Sequence, residues 1–360
     1  MAASIRALEN KTFRENDSFE LPPPDVVAYN ELRSCADLFR MYTQEILNIR
    51  PEFQREIVWK PAQQTRFIDS LVKQLPIPSM CFSLDYKTQQ WQVVDGLQRM
   101  ASIVRFLKGS GWTLSRLSDI DPKISGQPVS KFADRNSDLH PLFARVENLT
   151  LPITVLRCDY TKKSHTNYLF TIFHRLNSGG ARLTNQEIRN CIYSGQFNNL
   201  LKELNTNVKW LAINRMERPF GYRFAKEEII LRFFAFHDEF QNYGGRLAKF
   251  LNDYMSDNRY PPASFLTDKK RLFERTVDIV HKAIFEGRAM QLSTSVLEAT
   301  LVGVSLNLDF VERQPTSKIK AMYETMLGLP EFSEEKLREG LAGKERVLGR
   351  MSSAKEAFSR

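Results

Sequence analysis

Asp95, Gly96, Gln98 and Arg99 stand together in "WQVVDGLQRMASIVRFL", residues 91–107, where an apolar β-rich run gives way to an amphipathic one. A turn at that point needs the glycine and tolerates the aspartate, but has no use for an amide and a guanidinium. If a helix starts there, its first amides lack intrahelical partners and its dipole adds positive potential, which suits a phosphate. Gly96 would allow close backbone approach, and Arg99 could grip two phosphate oxygens. The carboxylate of Asp95 repels phosphate unless it holds Mg²⁺ or positions an attacking water. The plainer alternative makes Asp95 a helix cap worth about 1 kcal/mol, with Gln98 and Arg99 turned to solvent.

Two further stretches bear on that choice. "IRPEFQREIVWKP" places Gln54, Arg55 and Trp59 at the end of an expected strand, and Gln54-Arg55 repeats the residue types of Gln98-Arg99. Two such pairs could converge on one anion. "FHRLNSGGARLT" sets Asn177 beside Gly179-Gly180, ordinarily a helix stop, though the Asn177 amide could reach a base, ribose or phosphate.

The elements that must position these residues follow from periodicity. Ser34, three residues before Asp37, opens a short helix. "EILNI" reads as a strand. Pro61 begins a helix whose buried face comprises Phe67, Ile68, Leu71, Val72 and Leu75. "MCFSLDY" and "WQVV" form a hairpin, and Met100, Ile103, Val104 and Leu107 mark the apolar stripe of the next helix, which stops at Gly109. Residues 110–150 read as loops around short helices, and "LPITVLRCDY" as the last strand. Beyond it the pattern is helical, with a Thr184/Glu187 capping box and an "AKEEIILRFFAFHDEF" segment apolar enough for the centre of a bundle. The outline is a polar arm over 1–24, a mixed α/β domain over 25–160 and a helical domain over 161–360.

Composition narrows the chemistry. The 360 residues are 42% hydrophobic and 26% charged, enough for a sizeable core. No run approaches the roughly 18 apolar residues of a membrane span, and the start has no secretory apolar region. Four scattered cysteines without a C-x-x-C pair argue against structural zinc and for reduced thiols, hence a cytoplasmic chain. The net charge of +9 suits an anionic partner such as nucleic acid or nucleotide, but the charges are dispersed, which equally describes a solvated surface. The five histidines lack ligand spacing, and the P-loop pattern and the serine nucleophile elbow are absent.

"FQREIVW", "VVDGLQRM" and "FHRLNSGGARLTNQEIRN", in that order, resemble the GmrSD restriction endonuclease N-terminal domain family, with its QR-x-x-x-W, DGQQR and F-x-x-x-N-x-x-G-x-x-L elements. The resemblance runs from about Tyr29 to Leu204 and more loosely to about 255. It implies an α+β chain: a ParB/sulfiredoxin-like α/β domain followed by helices. It also implies NTP binding and hydrolysis, in defence against foreign DNA; the Mg²⁺ expected with the NTP rests on the reading of Asp95. By position, Asp95, Gly96, Gln98 and Arg99 fall in the nucleotide motif, Gln54 and Arg55 in the QR element, and Asn177 in the third. The expected catalytic set is Asp95, Gln98 and Arg99, with Asp95 the Mg²⁺ ligand. Nucleotide contacts are expected from Gln54, Arg55, Gly96, Arg99 and Asn177. Leu97 departs from the family by replacing the first glutamine of DGQQR. No His-Asn-His nuclease motif surrounds His237 or His281. The expected partners are therefore nucleotide, DNA, a separate nuclease subunit and further copies of the chain, with no membrane. A nucleotide-gated DNA-binding switch without turnover, and a metal-dependent nuclease built on Asp95, are the rival readings.

Overall fold

The computed structural model describes residues 22–49, 59–176, 184–213, 225–288, 293–338 and 340–359. The chain divides into one unit over residues 21–181 and another that holds residues 182–360.

The first unit is built on a five-stranded mixed sheet. In chain order its elements are β1 (Val27–Ser34), α1 (Cys35–Thr43), β2 (Leu47–Asn48), α2 (Pro61–Val72), β3 (Met80–Asp85), β4 (Gln90–Asp95), α3 (Leu97–Leu107), α4 (Val129–Ala133), α5 (His140–Asn148), β5 (Thr150–Cys158) and α6 (Lys163–Leu176). The strand order is β1-β5-β3-β4-β2. β3 runs antiparallel to β4 and parallel to β5, and β1 forms an antiparallel edge against β5.

One face of this sheet carries the core. Phe82 and Leu84 of β3, Trp91 and Val93 of β4, and Leu151, Ile153 and Val155 of β5 pack with Met100, Ile103, Val104 and Leu107 of α3 and with Phe67, Ile68, Leu71 and Val72 of α2. The strict alternation along β5, Leu151-Ile153-Val155 inward, follows from the two-residue repeat of a strand. The helical stripes expected for α2 and α3 are thus the ones buried. Leu75 is the exception: α2 ends at its C-cap Lys73, and Leu75 is 48% exposed. The Ser34 hydroxyl accepts from the Asp37 amide at 3.1 Å, so α1 begins where the residue types place it. β1 escapes a reading by pattern because it is an edge strand, with Val27, Tyr29 and Leu32 all exposed and no alternation to detect.

On the other face, Ser83 and Gln92 hydrogen-bond the Tyr160 hydroxyl, which tethers the start of α6 to the sheet. His165, wholly buried, accepts the Asp159 amide on Nδ1 at 2.9 Å and meets Asp25 through Nε2 at 2.8 Å. Asp25, also bonded by Lys162 and His165, has its carboxyl lowered to about 2.

The second unit is helical: α7 (Asn185–Ile192), α8 (Gln196–Leu204), α9 (Val208–Ile213), α10 (Ala225–Glu239), α11 (Leu247–Asp257), α12 (Ala263–Ile279), α13 (Thr294–Leu306), α14 (Leu308–Val311), α15 (Thr316–Leu327) and α16 (Lys344–Ala357). The Thr184/Glu187 capping box forms at the start of α7. α10 is central, as its composition predicts: Ile229 to Phe236 are all buried, and it packs against α7, α8, α11 and α13. α13 and α16 approach so closely at Gly303 that a Cβ there would lie 2.8 Å from the Ala354 carbonyl oxygen.

Candidate functional site

Asp95 closes β4 and α3 starts two residues later, so the whole reversal is left to Gly96. Its φ of +96° lies in the left-handed region, where a side chain is strained. A Cβ at that position would also sit 2.5 Å from Met80 Cγ. Glycine is required here twice over, by backbone conformation and by the neighbouring strand.

The helix cap is therefore Gly96, without a side-chain cap bond, and not Asp95. The first intrahelical bond runs from the Met100 amide to the Gly96 carbonyl at 2.9 Å. The amides of Leu97, Gln98 and Arg99 precede it and form the N-terminal turn that helix geometry leaves without i−4 partners.

Asp95 and Arg99, one turn apart, form an ion pair: Arg99 Nη2 donates to Asp95 Oδ2 at 2.8 Å. Arg99 Nη1 donates to the Pro78 carbonyl and, at 3.4 Å, to that of Ser79. The guanidinium is only 14% exposed, whereas the carboxylate remains 36% exposed. Burial draws the Arg99 pKa below its ordinary value, and Asp95 opposes that shift. Arg99 is thus not a solvated surface arginine. It is a partly buried cation whose partners are one carboxylate and two carbonyls at the mouth of β3.

Gln98 serves a different contact. Its Oε1 accepts from the Trp59 amide at 3.3 Å, while the Trp59 carbonyl accepts from Gln64 Nε2 at 3.0 Å. Gln64 is buried and its Oε1 accepts from Arg105 at 2.9 Å, and Arg105 lies over the Trp112 ring. The Trp59 backbone is thereby held from both sides, and its ring packs edge-on against Phe67. Sequence reasoning missed Gln64, Ser79 and Pro78. A glutamine on the apolar face of α2 was a signal that could have found Gln64; backbone carbonyls leave none.

Leu97 is half-buried and packs against the margin of the core. The position that departs from DGQQR therefore points to apolar surroundings and away from the turn's polar side. Gln54, Arg55 and Asn177 lie outside the described residues. What the structure joins is the end of the first motif, Trp59, to the second, through Gln98.

As a metal ligand, Asp95 supplies one carboxylate already engaged through Oδ2. No cluster of three or more His, Cys, Asp or Glu side chains able to hold a metal occurs among the described residues. That donor set fits a Mg²⁺ that shares its coordination with phosphate oxygens and waters, the usual habit of that ion at nucleotide sites. It does not form an all-protein cage.

Residues 35–194 match the family model described as GmrSD restriction endonuclease, N-terminal domain, and the chain carries a domain of that family. That description ties residues 35–194 to restriction-like DNA-defence proteins. No curated protein and no solved structure gives a significant match. No helix among the described residues is long and apolar enough to cross a membrane.

Proposed function

We propose that the chain is the nucleotide-binding, NTP-hydrolysing subunit of a restriction-like system that acts on or senses DNA. The observation that supports this reading most is the turn itself: a left-handed Gly96 at a strand-to-helix junction, flanked by a partly buried Asp95–Arg99 pair. An incoming phosphate can lie on the amides of Leu97, Gln98 and Arg99 and take the Arg99 guanidinium in a charge-assisted bond. Asp95, released from Arg99, would then orient the attacking water, and it is the side chain that would hold a Mg²⁺ brought in with the nucleotide. When bound, that ion would neutralise charge on the phosphate oxygens. Gln98 holds the Trp59 backbone, and with it the base of the segment that carries Gln54 and Arg55, whose proposed role is a second grip on phosphate. Asn177 is proposed to contact nucleotide from the third motif. The proposed partners are DNA, a separate nuclease subunit and further copies of the chain, in the cytoplasm.

The test is phosphate release from a panel of NTPs with Mg²⁺, wild type against Asp95→Ala, followed by calorimetry. Turnover in the wild type that disappears in the variant is the expected result. Binding without turnover would replace hydrolysis by a nucleotide-gated switch. Neither binding nor turnover would reduce the turn to a structural one.

A further inference from the structure

The polar chain that starts at Asp95 continues past Arg99. Ser79, whose carbonyl Arg99 reaches, places its hydroxyl 3.1 Å from Thr154 Oγ1, and Thr154 donates to Asn30 Oδ1 at 2.8 Å. The sheet register explains the alignment. Asn30 pairs with Thr154 between β1 and β5, Thr154 with Cys81 between β5 and β3, and Cys81 with Asp95 between β3 and β4. One row thus crosses the sheet from Asp95 to Asn30, three strand spacings or about 14 Å.

Directly paired residues share a face, so Asn30 and Thr154 project from the side opposite the Ile153 and Phe82 core. Both retain exposure, as does Ser79. The next pair along the same face is Leu32 with Pro152. Leu32 is 70% exposed, and Pro152 is half-buried beside it. An exposed leucine alone needs no explanation. Here it forms an apolar step next to a ladder of hydroxyl and amide groups, which borders the arginine of the candidate phosphate site at Ser79, its hydroxyl beside Thr154 and its carbonyl 3.4 Å from Arg99.

We propose that this row is the nucleoside arm of the site. With phosphate on the α3 amides and Arg99, the sugar hydroxyls of a ribonucleotide exchange hydrogen bonds with Thr154 and Asn30, and the base rests on the Leu32–Pro152 step. Thr154 and Asn30 can each donate and accept, which a sugar hydroxyl requires. A site that hydrogen-bonds a hydroxyl discriminates against the analogue that lacks it. This inference rests on the nucleotide-binding reading above.

The experiment is calorimetry with Mg²⁺ on ATP, GTP, CTP and UTP, their 2′-deoxy counterparts and inorganic tripolyphosphate. The proteins are wild type, Asn30→Ala, Thr154→Val and Thr154→Ser. At least one ribonucleotide should bind about tenfold or more tighter than tripolyphosphate, the equivalent of one or two hydrogen bonds. Asn30→Ala and Thr154→Val should erode that advantage without changing tripolyphosphate affinity, and Thr154→Ser should keep it. Asn30→Ala lies on an exposed edge strand, so it still reports if Thr154→Val fails to fold. Equal affinity for tripolyphosphate and every nucleotide, or an advantage that survives Asn30→Ala and a folded Thr154→Val, overturns the nucleoside arm but leaves phosphate binding intact. Failure to bind any of these probes overturns both readings.

Discussion

Two groups of arginines and acids in this chain use the same chemistry in opposite surroundings. In the helical unit, Arg232 bonds Glu298 at 2.6 Å and Glu228 at 2.5 Å, and Glu228 also accepts from Arg189 at 3.2 Å. Arg189, Arg232 and Glu298 are at most 3% exposed. Burial alone would raise the Glu228 carboxyl, but Arg232 and Arg189 hold it below its ordinary value. In the α/β unit, Asp95 and Arg99 form a single pair with the carboxylate still one-third exposed. A buried ion pair cannot trade a partner for a ligand without stranding a charge, so the helical network belongs to the fold. A pair at a helix N-terminus with one open member can make that exchange at small cost. Exposure, more than residue type, separates a structural pair from one suited to a ligand.

Glu298→Ala should break this contrast hardest, because it leaves Arg232 short of its most buried partner. A loss of about 3–5 kcal/mol in chemical denaturation is expected. Arg99→Ala should cost less stability than Glu298→Ala, because its Asp95 partner is open to solvent, and weaken nucleotide binding roughly ten- to hundredfold, equivalent to about 1.5–3 kcal/mol in calorimetry. If the two variants behaved alike in both assays, the comparison would fail. Gly96→Ala should cost at least about 1 kcal/mol from its backbone conformation, with a steric part that Met80→Ala relieves in the double variant.

Acid titration sharpens the comparison at a third charged site. Asp25 has its carboxyl lowered to about 2 from 3.8 by Lys162 and His165. Its contribution is present above the ordinary value and disappears as pH falls through about 2. Asp25→Asn should flatten stability over that window in pH-dependent denaturation. The smallest effect is expected of Leu97→Gln. Because Leu97 packs on the core margin, restoring the family's amide should not raise turnover in the phosphate-release assay, and a marked gain would return that position to the chemistry.

Much of the frame was legible because it rests on local rules. The apolar spacing of α2 and α3, the Ser34 and Thr184 caps, the β3–β4 hairpin and the burial of α10 each depend on residues within a turn or two of one another. β1 was not legible, since an edge strand exposed on both faces has no alternation, and its pairing partner lies more than a hundred residues away. Leu75 misled because periodicity does not announce where a helix stops.

The candidate site divides along the same line. Residue types alone determined that a strand hands over to a helix at Asp95-Gly96, since that pair breaks the apolar run and the helical apolar stripe begins just beyond it. They also identified Gln98 and Arg99 as groups in excess of what a turn needs. Only the tertiary structure decided that Gly96, not Asp95, caps the helix, and that Gln98 holds the Trp59 backbone. It alone turned Leu97 toward the core and aligned Asn30, Thr154 and Ser79 with Arg99. Those contacts join residues distant along the chain, and strand register, which no local preference encodes, sets which of them meet.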